Sequence, residues 1–403
     1  MRALAESAPA GGAPGVTRLA WSDADLRGRE ILAAIAARGG VPTATDAVGN
    51  VTADWPGTDP ALRPLVIGSH IDSVVEAGPL DGAYGTAAAF EIVTALAEAR
   101  EHLRHPVRAV AWVNEEGVVA PPFTGSLVAT GKTVDLEAAG PDGVSLEARI
   151  RASGGSPERI STAAWAPIAG YLELHIEQGP VLDDLGVPIG VVTGITGDRR
   201  GTISVIGRAN HAGTTPMHRR RNALLAALPL VTAIDQIATK GPVEVATVGS
   251  LVVYPGVGNV VPGRVEMTYD IRSLEDTACD EAIALLERQA ASVAESQSVT
   301  VCLTPTFASA GVRTNGLMRQ IVAEAAADLG LASVELASGA GHDAQNLAPI
   351  APTGMIFVPS SGGISHQAAE STPPEQLAAG AQTLLAALRL ADARLDPRAP
   401  TRR

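Results

Sequence analysis

At 403 residues, 46% of them apolar and 18% charged, the chain has enough apolar material for two domains and a sizeable core. A net charge of −13, no basic stripe and 3% aromatic content leave little to neutralise phosphates or stack bases, which excludes nucleic acid as a partner. Two cysteines, Cys279 and Cys302, are too few for a disulfide framework and lack metal-type spacing, so both are expected to be buried thiols in a reducing compartment. No stretch approaches the ~20 apolar residues of a membrane span. The opening MRALAESAPAGGAPG has an early Glu and no apolar core, so no export signal and a cytoplasmic location are expected.

In chain order, residues 1–15 are rich in Ala, Gly and Pro and are expected to be mobile, as is the tail 396–403. Asp23–Arg38 reads as a helix capped by Ser22 or Asp23, with Leu26, Ile31, Leu32 and Ile35 on one face. Short strands come next at 50–54 and 65–68, then a helix at 86–99. The apolar run 107–113 has the pattern of a strand covered on both faces, and 172–176 is a further strand. This alternation predicts an α/β layered domain. Near residue 200 the texture changes to strand 201–207, helix 221–237, strands 243–253 and 264–272, helix 280–293 and strand 299–305. That is the ferredoxin-like order of a small α+β domain. Past residue 311 the α/β texture returns, with a helix at 317–329, a buried-type strand at 355–358 and a closing helix at 375–393. The chain therefore divides into a domain of 1–199 plus 311–403 and an inserted domain of 200–310.

The stretch 66–85, VIGSHIDSVVEAGPLDGAYG, delivers His70, Asp72 and Asp81 from the end of an apolar strand. Two more histidines, His175 in ELHIEQG and His366 in GGISHQAAE, also stand where a strand is expected to end, and the run 107–113 ends in the pair Glu115-Glu116. Taken singly, each has a bland reading: a hydrogen-bonded structural His, or a solvated acidic pair. Together they converge on one sheet edge and suit zinc or manganese. A shared Asp can bridge two ions and help to acidify a water between them. Side chains successive at a strand end point differently, so Glu116 can bind metal while Glu115 faces the water as general base. Asp72, two residues past His70, is placed to orient that imidazole through its other nitrogen. His102, His105 and His218 lie in polar segments and read as solvated surface.

The series GVTRLAWS, GSHIDSV, GPLDGAYG, WVNEEG, ELHIEQGPVLD, GRANHAGTTPM, NVVPGRVEMTYDIR, GAGHDA and GISHQAAE, in that order, resembles the M20 metallopeptidase clan. Within it, the chain resembles the hydantoinase/carbamoylase family of N-carbamoyl-L-amino-acid hydrolases, β-ureidopropionases and allantoate amidohydrolases. The resemblance implies a larger catalytic domain with an inserted lid and dimerisation domain. It implies two divalent ions per subunit, Zn2+ or Mn2+ with Co2+ or Ni2+ as alternates. His70 and His175 would bind one ion, Glu116 and His366 the other, and Asp81 both, with Glu115 as general base. His211 would polarise the substrate, in some family dimers from the neighbouring subunit. Asn259 and Arg272 match residues that hold the substrate carboxylate, and Gln178 one that contacts the substrate. A guanidinium fork suits that carboxylate.

The activity implied is that of a homodimeric amidohydrolase cleaving a C–N bond of a small carboxylated ureide, foremost an N-carbamoyl-L-amino acid, with metal-activated water. The alternatives are an allantoate amidohydrolase or an N-acyl-amino-acid hydrolase, and lastly a non-catalytic relative, which would lack a ligand or the base. The chain departs from the family at Val119 and Ala120, where an Arg-Phe pair is usual, at Leu127, where an Arg is usual, and at Asn222, where an Asp is usual. The pocket around 119–127 is therefore expected to differ.

Overall fold

The computed structural model describes residues 1–7 and 15–395, so the mobility expected of 8–14 and 396–403 falls outside the described residues. Its chain forms two compact units, Met1–Thr193 with Arg313–Arg403, and Gly194–Val312.

In the first unit the apolar stretches pair into a sheet whose successive neighbours are Thr43–Thr45, Val51–Trp55, Val107–Trp112, Leu65–His70, Gly170–Ile176, Thr353–Val358 and Ile189–Ile195. The four strands from Val107–Trp112 to Thr353–Val358 run parallel. Leu65–His70, Gly170–Ile176 and Thr353–Val358 are buried at every residue, as parallel strands covered on both faces must be. The helix Ala83–Ala99 connects Leu65–His70 to its parallel neighbour Val107–Trp112, a βαβ crossover. Leu32, Ile67, Phe90, Leu174, Ile356 and Leu388 share one core across these elements. The helix Asp23–Arg38 begins at Ser22, whose hydroxyl accepts from Asp25 N (3.3 Å), with Asp23 and Asp25 complementing the N-terminal dipole.

The second unit obeys the same logic with amphipathic elements. Arg264–Ser273 alternates buried and half-buried residues and lies between Gly197–Ile206 and Leu251–Tyr254, all antiparallel, with Thr300–Ser309 beyond Gly197–Ile206. The helices Ala223–Thr239 and Asp276–Gln297 share its core through Leu230, Ile234 and Leu286 with Ile203, Val265, Met267 and Ile271. This sheet order is that of the ferredoxin-like arrangement.

Some elements differ from expectation. In the opening stretch, expected to be mobile, Arg2–Glu6 is a short helix that buries Leu4. The second unit's first strand starts at Gly197, so Asp198 and Arg199 pair with Arg272 and Ile271 and belong to that sheet. The single strand expected at 243–253 is two pieces. Thr247 pairs with Asp270 but Leu251 pairs with Met267, four residues against three, so one extra residue bulges out between them. There Ser250 N donates to Thr268 Oγ1 (3.0 Å). Cys279 is buried, but Cys302 is exposed because it takes the outward phase of an alternating strand. His105 is buried, its Nδ1 donating to Arg63 O (2.7 Å), since the turn it occupies is fastened under the closing helix by Asp392. Among the described residues, no helix is long and apolar enough to cross a membrane.

Candidate metal centre

The ends of the parallel strands set the site. His70 closes Leu65–His70, and its Nδ1 donates to the Asp72 carbonyl (2.9 Å). His175 is the penultimate residue of Gly170–Ile176, and its Nδ1 donates to the Ile176 carbonyl (2.8 Å). A carbonyl can only accept, so both rings carry a proton on Nδ1 and turn Nε2 inward, the nitrogen that can serve as a ligand once it carries no proton. Gly82 N stands 3.2 Å from Nε2 of His175. Gly82 has φ +58°, and a Cβ there would stand 2.3 Å from His70 Nε2, so both the turn and the close approach require glycine.

Asp81 lies between the imidazoles. Its Oδ1 is 3.1 Å from His175 Nε2 and 3.6 Å from His70 Nε2, while Oδ2 is 2.9 Å from His366 Nε2. Glu116 Oε2 is 3.7 Å from His366 Nε2, and Glu115 Oε2 is 3.7 Å from His70 Nε2. Two trios of ligand atoms result, His70/Asp81/His175 and Asp81/Glu116/His366, each within 4.8 Å, with Asp81 common to both. Gln178 Nε2 donates to Asp81 Oδ2 (2.8 Å). Asn114, Gln178 and His366 all have positive φ (57°, 61° and 56°), a costly backbone state that clusters where side chains must be aimed. Asn114 is held in it by donating to Pro121 O (2.7 Å) and Thr124 Oγ1 (2.9 Å).

The site is strongly polarised. Burial alone would raise Asp81, yet hydrogen bonds from His175, His366 and His70 hold it well below the usual carboxylate range. Glu115 is pushed well above that range by burial, with Glu116 among the charges adding to it. Glu116 is pushed up to about 7 by burial and by Asp81. The hydrogen bond to Asp81 brings His366 up to about 9. Burial opposes the charged form of His70, but Glu115 and Asp81 outweigh it and its pKa stands well above the ordinary value.

These residues fit a divalent cation. Two imidazoles present Nε2 atoms oriented by the outer hydrogen bonds of their rings, carboxylates stand opposite, and Glu116 Oε1 is buried with no hydrogen-bond partner. Nitrogen and carboxylate donors of this kind suit zinc or manganese.

Of the residues expected in the site, His70, Asp72, Asp81, Glu115, Glu116, His175, Gln178 and His366 lie in the first unit. His366 is not at a strand end: Thr353–Val358 stops eight residues earlier, and a 3-10 turn at Ser361–Gly363 carries the chain round. Asp72 meets the His70 ring with its backbone carbonyl, while its carboxylate, 3.9 Å from Nδ1, accepts instead from Glu115 N and Glu116 N (3.2 Å each). His211, Asn259 and Arg272 belong to the second unit. There Ala212 N donates to Asn259 O (2.8 Å), and His211 Nδ1 accepts from Gly213 N (3.0 Å) and Thr214 N (3.2 Å). The Arg272 fork grips Asp270 on the same strand (2.9 and 2.8 Å).

Two residues escaped sequence reading. His342 is buried edge-on against the His175 ring (4.6 Å between centroids) and bonds Ser338 Oγ (2.8 Å); the Gly-rich GAGHDA turn was its one sign. Glu370, the last residue of GISHQAAE, is buried and accepts from the backbone of the Asp81 loop, a partner that the motif itself does not name. At the departures from the family pattern, Val119 and Ala120 pack into a small core with Trp21, Val48 and Ile150. Asn222 caps the helix Ala223–Thr239, accepting from Leu224 N and Leu225 N, a task at which Asn and Asp are equivalent.

Comparison with known proteins points the same way. Residues 66–390 match the peptidase family M20/M25/M40. The chain is 36% identical to an N-carbamoyl-L-amino acid amidohydrolase of Geobacillus stearothermophilus over 375 residues, 92% of each chain. It is 33% identical to an allantoate amidohydrolase of Bacillus subtilis over 383 residues, 92% of this chain and 91% of that one. A solved structure similar to it is an amidase of the hydantoinase/carbamoylase family from Burkholderia multivorans, with TM-score 0.88 and 35% identity over 96% of this chain and 95% of that one.

Proposed function

Because the chain belongs to peptidase family M20/M25/M40 and is a metal-dependent hydrolase of non-peptide C–N bonds, we propose that it cleaves an N-carbamoyl-L-amino acid. The observation that carries this reading is the pair of ligand trios sharing Asp81, with Glu115 beside them. We take both trios as cation sites, filled by Zn2+ or Mn2+.

Bound there, the cations supply Lewis acidity to water and to the substrate carbonyl. Glu115 does the proton work. Its buried carboxylate has a raised proton affinity, which suits a group that must take a proton from water and give it up again. The water oxygen bonds to the ureido carbon as Glu115 Oε2 accepts the proton; the C–N bond then breaks as Glu115 protonates the departing nitrogen. The carbamic acid left behind loses carbon dioxide, giving the amino acid and ammonia. Asp72 keeps Glu115 and Glu116 in place through their backbone N–H groups.

Gln178, His211, Asn259 and Arg272 are the proposed substrate-recognising residues, and the same reading takes the protein as a cytoplasmic homodimer. Its mass in solution tests the latter. A second substrate, allantoate, is favoured by the relative from Bacillus subtilis. Ammonia release from N-carbamoyl-L-amino acids and allantoate, and amine release from N-acyl amino acids, with the protein loaded in turn with Mn2+ and Zn2+, separates these readings.

A further inference from the structure

Glu370 lies outside both ligand trios yet holds parts of each. It is 3% exposed. Its Oε1 accepts from Leu80 N (2.8 Å) and Asp81 N (3.1 Å), and its Oε2 accepts from Ser365 Oγ (2.8 Å). Ser365 Oγ also lies 3.4 Å from Asp81 Oδ2. The Glu370 N–H is bonded to Gln367 O (3.0 Å), closing the turn that directly follows His366. A Cβ on Gly78 would fall 2.2 Å from Glu370 Cβ, so the Asp81 loop leaves room at that position for this one side chain. One carboxylate thus fastens together two loops some 290 residues apart, one carrying Asp81 and the other carrying His366.

The chemistry of the tie is specific. All three partners can donate, and an ionised carboxylate is acceptor-only with room for all of them. His366 has a left-handed backbone and no neighbouring strand to hold it, whereas His70 and His175 are fixed by the sheet. The position that needs an added support is therefore the one His366 completes.

We propose that Glu370 is a positioning residue that sets Asp81 and His366 relative to each other and so shapes the cation position Asp81/Glu116/His366 more strongly than His70/Asp81/His175, whose two imidazoles the sheet holds. This rests on the metal reading above. Outer partners of metal ligands typically govern affinity by about 10–100-fold.

The test uses the full metal-free chain titrated with Co2+ alone, following heat and the visible d–d absorption, with circular dichroism to verify the fold. Wild type takes up two ions. Glu370→Ala weakens one by about 10–100-fold and the other, which shares Asp81, by clearly less. Glu370→Gln, which retains one oxygen for the two backbone donors, falls between. Placed in a His366→Ala background, Glu370→Ala adds less than its full loss, because the two act mainly on one position. Two ions bound at wild-type affinity by folded Glu370→Ala, equal weakening of both, or a full additive loss in the His366→Ala background would overturn the proposal. If Glu370→Ala does not fold, Glu370→Gln and Ser365→Ala carry the same comparison. Failure of wild type to take up two ions would instead overturn the two-cation reading, and the role of Glu370 with it.

Discussion

The carboxylate of Asp72 holds Glu115 by its backbone: Asp72 Oδ1 accepts from Glu115 N at 3.2 Å, and the other oxygen accepts from Glu116 N at the same distance. Because His70 pairs with Trp112 in parallel register, the two strand ends lie side by side, and the residue two past one His grips the acids just past the end of the other strand. Asp72→Ala leaves two N–H groups without their acceptor, at a cost of about 1–3 kcal/mol each where no water replaces it. A lower unfolding midpoint and a fall in kcat are expected together. Wild-type kcat in a folded Asp72→Ala would show that the clamp has no part in catalysis.

Glu115→Gln separates binding from proton transfer. The amide preserves shape but cannot take a proton from water, so turnover should fall by about 10²–10⁴-fold while metal uptake and fold persist. Steady-state kinetics alongside metal analysis checks this. Turnover near wild type would remove Glu115 from the mechanism.

Metal uptake should release protons. In the metal-free protein His366 titrates at about 9 and Glu116 at about 7, and both must be deprotonated to act as ligands. At pH 8 His366 is still mainly protonated, so binding expels its proton, and apparent affinity climbs as pH rises toward 9 and flattens above it. Calorimetry in buffers of different ionisation enthalpy should give at least about one proton released at pH 8. No release, with affinity constant from pH 7 to 9, would contradict the ligand role of His366.

Arg272→Ala tests recognition of the substrate carboxylate. If the guanidinium leaves Asp270 for substrate, KM for carboxylated ureides should rise by about tenfold or more, the loss of a charged hydrogen bond, with kcat less affected. An unchanged KM would assign Arg272 to its ion pairs within the sheet, with Asp270 and Asp198, and not to substrate.

Much of the catalytic unit was readable because the sequence speaks where burial is strict. The apolar runs at Leu65–His70 and Val107–Trp112 are buried throughout or nearly so, and polar residues at their ends have no reason to be there but the site. The helix Asp23–Arg38 was legible to both ends, since Ser22 caps it and Gly39 comes directly after it. Elements that depend on distant partners were not. Ser333–Ser338 and Ile189–Ile195 are broken by polar or glycine residues and exist through strand pairing. His105 looks solvated in EHLRH and is buried by a helix nearly 300 residues away. Glu370 closes the GISHQAAE motif, but its role was illegible for the same reason, its partners lying at Leu80 and Asp81.

Metal-dependent carbamoyl cleavage is tested most directly by ammonia release from an N-carbamoyl-L-amino acid, using the purified protein reloaded with Mn2+ or Zn2+, before and after treatment with a chelator. Steady release that the chelator abolishes and added metal restores is the expected result. Release that survives complete metal removal, or none from any carbamoyl amino acid or allantoate with two cations bound, would contradict it.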